Sequence, residues 1–456
     1  MRILLWHGYL LRGTGSNIYK SNLVRAWRNA GHEVLLLCQE RAVDGLDFVD
    51  EHGDFTSDNR SLELRPTGVA ASSGRVSLVR PAIGEILPVY VFDRYEGFSA
   101  KRYTDLSDVE LHHYVSTNFS AMVTAIERFH PHSIITSHEV MGPYIALRAC
   151  TRTNTGYTAQ LHGSALEYAV KLQPRYRDLA IEGLSGARVV VGGSEYMIRE
   201  ASSVIPGWRH KAVVVNPGCD TDLFRPRAVH GSSPPTAGYV GKFIAQKGVH
   251  HFLAALGRTK TVELRAVVVG YGDLEHDLNR LWSAAVDGDS EQFIESGRRT
   301  DRIFRDFARA VSRDRTYFAR AGQIGVEFTG RLDHDELWKV LPGFDVLVVP
   351  SVGPEAFGMV GAEAAACGVL PIVPDHSGIG EVGAAVEEAI GRPGLLTFDS
   401  GKPIKGIAEA IDRVLALPGD ERRELGAAAA KLARERWSWP VVAERLLGHT
   451  LAARKI

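Results

Sequence analysis

The sequence has few cysteines, no long uninterrupted apolar run and no excess of charge of either sign. Cys38, Cys150, Cys219 and Cys367 lie far apart with no C-x-x-C pair, which excludes a zinc knuckle or a disulfide framework and points to free thiols in a reducing cytoplasm. No apolar segment reaches the roughly 20 residues that a membrane helix needs. The opening MRILLWHGYLL has one basic residue and no small-residue cleavage site, so it reads as a first strand rather than a signal peptide. A formal charge of −1 over 456 residues gives no footprint for nucleic acid. What remains is an ordinary globular composition, 45% apolar and 8% aromatic, sufficient for two or three cores in a soluble cytoplasmic protein.

Strand-like and helix-like patterns alternate from the start: RILLWHG, a Gly-marked loop, the helical NIYKSNLVRAWRNAG, then HEVLLLC. Further apolar runs at HSIITSH, YTAQLHG, ARVVVGGS and AVVVNPG, with helical stretches between them, make a parallel sheet the expected outcome. Residues 226–237, rich in Pro, Ser and Gly without apolar periodicity, read as a linker. A second alternation follows through AGYVG, LRAVVVG, VEFTG, DVLVVPS, VLPIVPD and GLLTF. The expected architecture is α/β, with two Rossmann-like doubly wound domains facing a cleft. They would span residues 1–225 and 238–437, the first completed by a helix at about 438–456 and the second carrying a helical insertion at about 275–324.

In such open sheets ligands sit beyond the carboxyl ends of the strands. There DVLVVPS is followed by VGPEAFGMVGAEAAACG, in which Phe357 and Gly358 would open a helix whose free N–H groups and positive dipole end can receive phosphate. Glu355 falls in the loop and Glu363 in the helix. At about 1.5 Å per residue they are at most about 12 Å apart, the scale of the separation between sugar and ribose in a nucleotide diphosphate sugar. Carboxylates suit vicinal hydroxyls because they accept charge-assisted hydrogen bonds. Lys242 and Lys247, in the loop after AGYVG, offer the cations that a pyrophosphate needs. Two ordinary solvated glutamates and two ordinary solvated lysines are the competing reading of each pair taken alone.

In order and spacing, NPGCDTDLFRP (216–226), GKFIAQKG (241–248), VVGYGDL (268–274) and VEFTGRLDHDEL (326–337), together with the 348–373 stretch, resemble the retaining GT-B glycosyltransferases of family 4, the group 1 nucleotide-sugar transferases. The resemblance covers nearly the whole chain and is strongest from about Val189 onward. It implies transfer of a hexosyl group, with retention, from a nucleotide diphosphate sugar to an acceptor hydroxyl. UDP is favoured over GDP or ADP, and no metal and no cofactor are expected. His162, Lys242, Lys247 and Glu355 would be catalytic. Gly15, Gly241, Gly270, Phe357, Gly358, Met359, Val360 and Glu363 would bind the donor. Asn17, His138 and Glu139 are acceptor-side candidates. Lys242 stands where the family usually has Arg, replacing a bidentate fork by a point charge. A same-face mechanism is implied, although the sequence leaves a short-lived covalent intermediate open.

Two D-x-D strings, Asp220 to Asp222 and Asp333 to Asp335, could in principle hold a metal, but the first falls in a family motif and the second reads as a helix start. A glycan phosphorylase, a nucleotide-sugar epimerase or a non-catalytic nucleotide-sugar binder on the same scaffold are the alternatives. Two segments depart from the family's short form. From Arg298 to Arg320 the spacing of Ile303, Phe304, Phe307 and Val311 predicts one amphipathic helix with a basic face, either solvated or in peripheral contact with a membrane or other anionic partner. The insert between Arg41 and about Asp108, with Tyr95 and Glu96, either shapes the acceptor site or elaborates the surface. Trp437 and Trp439 are expected to pack around a restart of the closing helix at Pro440.

Overall fold

The computed structural model describes residues 1–70, 72–91, 95, 97–227 and 234–452, with the side chains of 334 and 335 left aside. The chain divides into two units, Met1–Gly218 with Trp439–Ile456, and Cys219–Ser438. The division comes earlier than the expected end of the first domain at 225, because Cys219 and Phe224 are buried in the second unit's core. Much of the expected 226–237 linker lies outside the described residues, and its last two positions already belong to a strand.

The first unit holds β1 (Arg2–Trp6), β2 (Glu33–Leu37), β3 (Glu51–Phe55), β4 (Leu62–Pro66), β5 (Arg75–Arg80), β6 (Ile86–Val89), β7 (Ser99–Arg102), β8 (Ser133–Ser137), β9 (Thr158–Gln160), β10 (Val189–Gly192) and β11 (Ala212–Val214). Nine of them form one sheet in the order β11-β10-β9-β8-β1-β2-β5-β3-β4, with only β4 antiparallel to its neighbour. Five of the six apolar runs read from the sequence form its central strands, buried on both faces as parallel strands require, and the sixth is the half-buried edge strand β11. The insert after Arg41 extends this sheet through β5, β3 and β4 and adds a separate β6–β7 pair. The helix Trp439–Ala452 packs in this unit against the helix Gly15–Asn29, with Trp439 edge-on to Tyr19 at 5.2 Å. The break before it falls at Ser438, extended at ψ 143°, and Pro440 lies in the first turn of the new helix, where a missing N–H breaks no intrahelical bond.

The second unit is a parallel sheet of β12 (Thr236–Val240), β13 (Arg265–Val269), β14 (Gly325–Gly330), β15 (Val346–Val348), β16 (Leu370–Pro374) and β17 (Thr397–Phe398), in the order β14-β13-β12-β15-β16-β17. Successive strands build outward on one side from β12 and on the other from β15, so the switch point lies between these two. The insertion is four short helices, Glu275–Asp287, Ser290–Ser296, Arg302–Val311 and Arg315–Ala321. The single helix expected over 298–320 is therefore corrected. Asp314 interrupts it by capping the last helix, accepting from the backbone N–H of Thr316 and Tyr317 at 3.1 Å each. Phe304 and Val311 are fully buried and Phe307 partly so, but Ile303 points outward and is 40% exposed. Arg302 and Arg309 pair with Asp306, Arg299 with Asp277 and Arg298 with Glu295, so much of the basic face is neutralised on the spot.

Candidate active site

In the second unit the loops after β12 and β15 meet at the switch point. Both backbone N–H groups of Val352 and Gly353 donate to the Gln246 carbonyl, at 2.9 and 3.0 Å. Gly248, at φ +67°, lies so close to the Pro350 carbonyl that a Cβ there would overlap it. This zipper brings the Lys247 ammonium onto the Glu355 carboxylate as an ion pair, and the same carboxylate oxygen accepts from the Ser351 hydroxyl at 2.7 Å. Glu355 is held from behind as well: its N–H donates to the Ser377 Oγ at 3.0 Å, and Ser377 is adjacent to His376 Nδ1 at 3.1 Å. His376 Nε2 lies 3.1 Å from the Ser351 carbonyl, which fixes the Nε2–H tautomer and leaves Nδ1 to accept from Ser377. Sequence reasoning missed His376, Ser377 and Ser351, since a supporting shell has no spacing signature.

Gly358 takes φ +95° and begins the helix Met359–Ala366 at its N-cap, as expected from the sequence. The side chain of Phe357, by contrast, is buried against Trp437 at a ring separation of 5.7 Å, so this residue faces the core and offers a ligand only backbone. Glu363 is 4% exposed. Lys242 is exposed and pairs with no carboxylate among the described residues. Gly241 and Gly270 serve the packing of two strand-end loops: a Cβ on Gly270 would overlap the Gly241 carbonyl. The Phe243 N–H donating to Tyr271 at 2.7 Å and the Leu274 N–H donating to Phe243 at 3.0 Å close the same contact. Met359 and Val360 are half-buried in the first turn of the helix.

In the first unit the strand ends of β1, β8 and β9 carry His7, His138 and His162, whose rings approach one another at 6.0 Å (His7 to His138) and 4.9 Å (His138 to His162). Asn17 is 1% exposed. His7 Nε2 donates to its Oδ1 at 3.0 Å, and its Nδ2 donates to the Arg12 carbonyl at 2.6 Å, so it holds the Gly-rich loop in place. That loop turns at Gly13, φ +90°, whereas Gly15 is exposed and a Cβ on it would meet nothing. Glu139 is fully buried behind His162, accepting from the His162 and Gly163 N–H groups at 3.0 and 2.6 Å, and burial raises its pKa. It does not line the cavity that His138, His162 and Asn17 share with Tyr9, Tyr90 and Tyr95. Glu96 lies outside the described residues. His138 adopts φ +71°, a strained backbone for a non-glycine residue.

Burial lowers the pKa of all three histidines, His7 to about 3, with nearby Lys20 a further cause for each. Lys20, absent from the sequence reading, is fully buried, its ammonium donating to Gln160 Oε1; Gln160 Nε2 in turn donates to the Tyr19 hydroxyl at 2.6 Å. Burial pulls its own pKa well below the usual lysine value.

Among the described residues His250, His251 and Asp301 are the group of three that could hold a metal ion. Nε2 of each histidine lies 3.1 and 2.9 Å from Asp301 Oδ2, while both Nδ1 atoms are buried without a partner. An orphaned lone pair costs less than an orphaned N–H. The geometry therefore suits two Nε2–H tautomers donating to Asp301, because a metal on Nε2 would place both protons on Nδ1 with nothing to accept them. Asp301 also caps the helix Arg302–Val311 through the Phe304 N–H at 2.8 Å, so the trio fastens the insertion to the helix Val249–Leu256. Of the D-x-D strings, Asp220 spends its carboxylate on the N–H groups of Asp222 and Leu223, and Asp333 caps the helix His334–Val340.

Residues 319–432, which include Glu355 and Glu363, match the family described as glycosyl transferases group 1. The glycogen synthase of Mycobacterium tuberculosis H37Rv is 28% identical over 294 residues, covering 60% of this chain and 60% of that protein. The sucrose-phosphate synthase of Thermosynechococcus elongatus superposes with a TM-score of 0.62 at 19% identity over 99% of both chains. Anabaena HepE in complex with UDP-glucose does so with a TM-score of 0.59 at 13% identity over 98% of both. The stretch 319–432 of the second unit thus resembles the group 1 glycosyl transferases, and the chain as a whole has the GT-B fold.

Proposed function

We propose that the protein transfers a hexosyl group from a nucleotide diphosphate sugar, most favourably a UDP-sugar, to an acceptor hydroxyl, with retention at the anomeric carbon and without a metal. The observation that carries this reading is the Lys247–Glu355 pair at the switch point of the second unit, beside the start of the helix Met359–Ala366. A switch point is where open parallel sheets take ligands, and the helix N-terminus adds a dipole suited to phosphate. The HepE structure, with UDP-glucose bound, shares the fold.

In this reading the second unit binds the donor. Lys242 and Lys247 meet the diphosphate, Glu355 and the amides at Gly358 orient the sugar, and Glu363 takes the ribose hydroxyls. The bond from the anomeric carbon to the diphosphate oxygen breaks, and the two lysines and the helix stabilise the leaving charge. The acceptor oxygen bonds the same carbon on the same face, and its proton passes to the departing phosphate oxygen. The pocket of the first unit, which His162 lines, receives the acceptor.

A thermal-shift series of UDP-, GDP- and ADP-sugars on the wild type and Glu363→Ala tests the donor site, since a ligand specific to the native state raises the Tm. One donor raising the wild-type Tm but not that of the variant is expected. No shift with any donor on well-folded protein would remove the donor-site assignment.

A further inference from the structure

The pocket of the first unit has a character of its own. Its volume of about 170 Å³ is close to that of a cavity that holds a single six-membered ring, for which about 150 Å³ suffices. Tyr9, Tyr90 and Tyr95 supply aromatic surface, and Tyr90 is locked by donating its hydroxyl to the Val140 carbonyl at 2.9 Å. The polar lining consists of the hydroxyls of Thr14, Ser16 and Ser164, the Asn17 amide and the imidazoles of His138 and His162. No lysine, arginine, aspartate or glutamate lines it among the described residues. Nε2 of both His138 and His162 is buried without a partner inside the fold, which is the condition of a polar group whose partner comes with a ligand or with water.

Resting on the transferase reading, we infer that the acceptor bound here is an uncharged polyhydroxylated ring, a free sugar, a cyclitol or the terminal residue of a neutral glycan, and not a phosphorylated or carboxylated one. A sugar hydroxyl both donates and accepts, matching a neutral imidazole, which offers one of each. Aromatic faces cover the apolar C–H faces of such a ring. A phosphate in the same place would be stripped of water with no cation among the described lining residues to repay the loss. Burial, supplemented by Lys20, keeps the histidines in the neutral form that this recognition needs.

Saturation-transfer NMR on the full chain, without donor, tests the inference by comparing glucose, mannose, maltose and myo-inositol with glucose 1-phosphate, glucose 6-phosphate and glucuronate. Val91→Trp provides the control, because Val91 lines the pocket yet is 47% exposed, so the larger side chain fills the space without disturbing a core. At least one neutral ring is expected to show transfer that falls severalfold in Val91→Trp, with the anionic compounds showing none that depends on Val91. Val91-dependent transfer to a phosphorylated or carboxylated compound alone, or to none of the compounds, overturns the inference. UDP binding measured on the same samples reports separately on the donor reading: it should be equal in both proteins. Loss of UDP binding with retained neutral-sugar transfer would count against the donor site and not against this pocket.

Discussion

Lys247→Met separates a structural from a functional role for the ion pair at the switch point. The Lys247 side chain is 36% exposed and that of Glu355 19%, so solvent screening holds the pair's value for folding to below about 1 kcal/mol. Methionine keeps most of the apolar stem, and Glu355 retains its bond from Ser351. The melting temperature should therefore fall by less than about 4 °C for a unit of this size. Binding is a different matter, because a hydrogen bond from an ammonium to a diphosphate is worth roughly 1.5–3 kcal/mol. At about 1.4 kcal/mol per tenfold, the Kd for UDP should weaken by about 10- to 150-fold. Titration calorimetry with UDP and a denaturation scan on the same preparations give both numbers. A UDP affinity within about threefold of wild type would refute the assignment of Lys247 to the diphosphate. A large loss of stability together with lost binding would show that the lysine holds the fold instead.

The two glycines at helix starts should behave oppositely. Alanine at Gly358 meets φ +95° and Ile379, so about 2–4 kcal/mol of stability is expected to be lost, together with UDP binding. Alanine at Gly15 meets open space and should leave Tm within about 2 °C, so any loss of turnover there reports on the ligand and not the fold. Burial, outweighing the bond to Asp301, holds the His250 pKa at about 4. A histidine depressed in the folded state is protonated first in the unfolded chain, so its contribution is fully present above about pH 6.5 and is lost as the pH falls towards 4. Between pH 7 and 5 the wild type should lose about 2 kcal/mol more than His250→Gln, read from urea midpoints at both values; equal losses would contradict the burial argument.

The parallel cores were legible because a strand buried on both faces tends to be a near-continuous apolar run, and β1, β10, β13 and β15 are such runs. The strands of the insert after Arg41 were not. β4 is exposed at four of its five positions and carries Glu63 and Arg65, so neither hydrophobicity nor clean alternation marks it. The insertion misled for a related reason: 3.6-residue periodicity continues across Asp314 in the sequence, but the backbone stops there to be capped. Of the candidate site, Glu355, Lys247 and Gly358 could be read because they follow strand patterns at family spacing. His376, Ser377, Lys20 and Gln160 could not, since each acts through another side chain brought close only by folding. Glu139 shows the converse: motif position made it a candidate, while the structure gives its side chain to the His162 loop.

The central claim is transfer with retention, and proton NMR of the reaction mixture tests it most directly. The α-linked UDP-, GDP- and ADP-hexoses are incubated with the protein and each neutral sugar that binds the first-unit pocket, and the anomeric signal of the first product is followed before equilibration. The account predicts a new glycoside with the α configuration of its donor, formed from one nucleotide in preference to the others. A β-configured product, or donors that bind but never yield a glycoside with any acceptor, would contradict it.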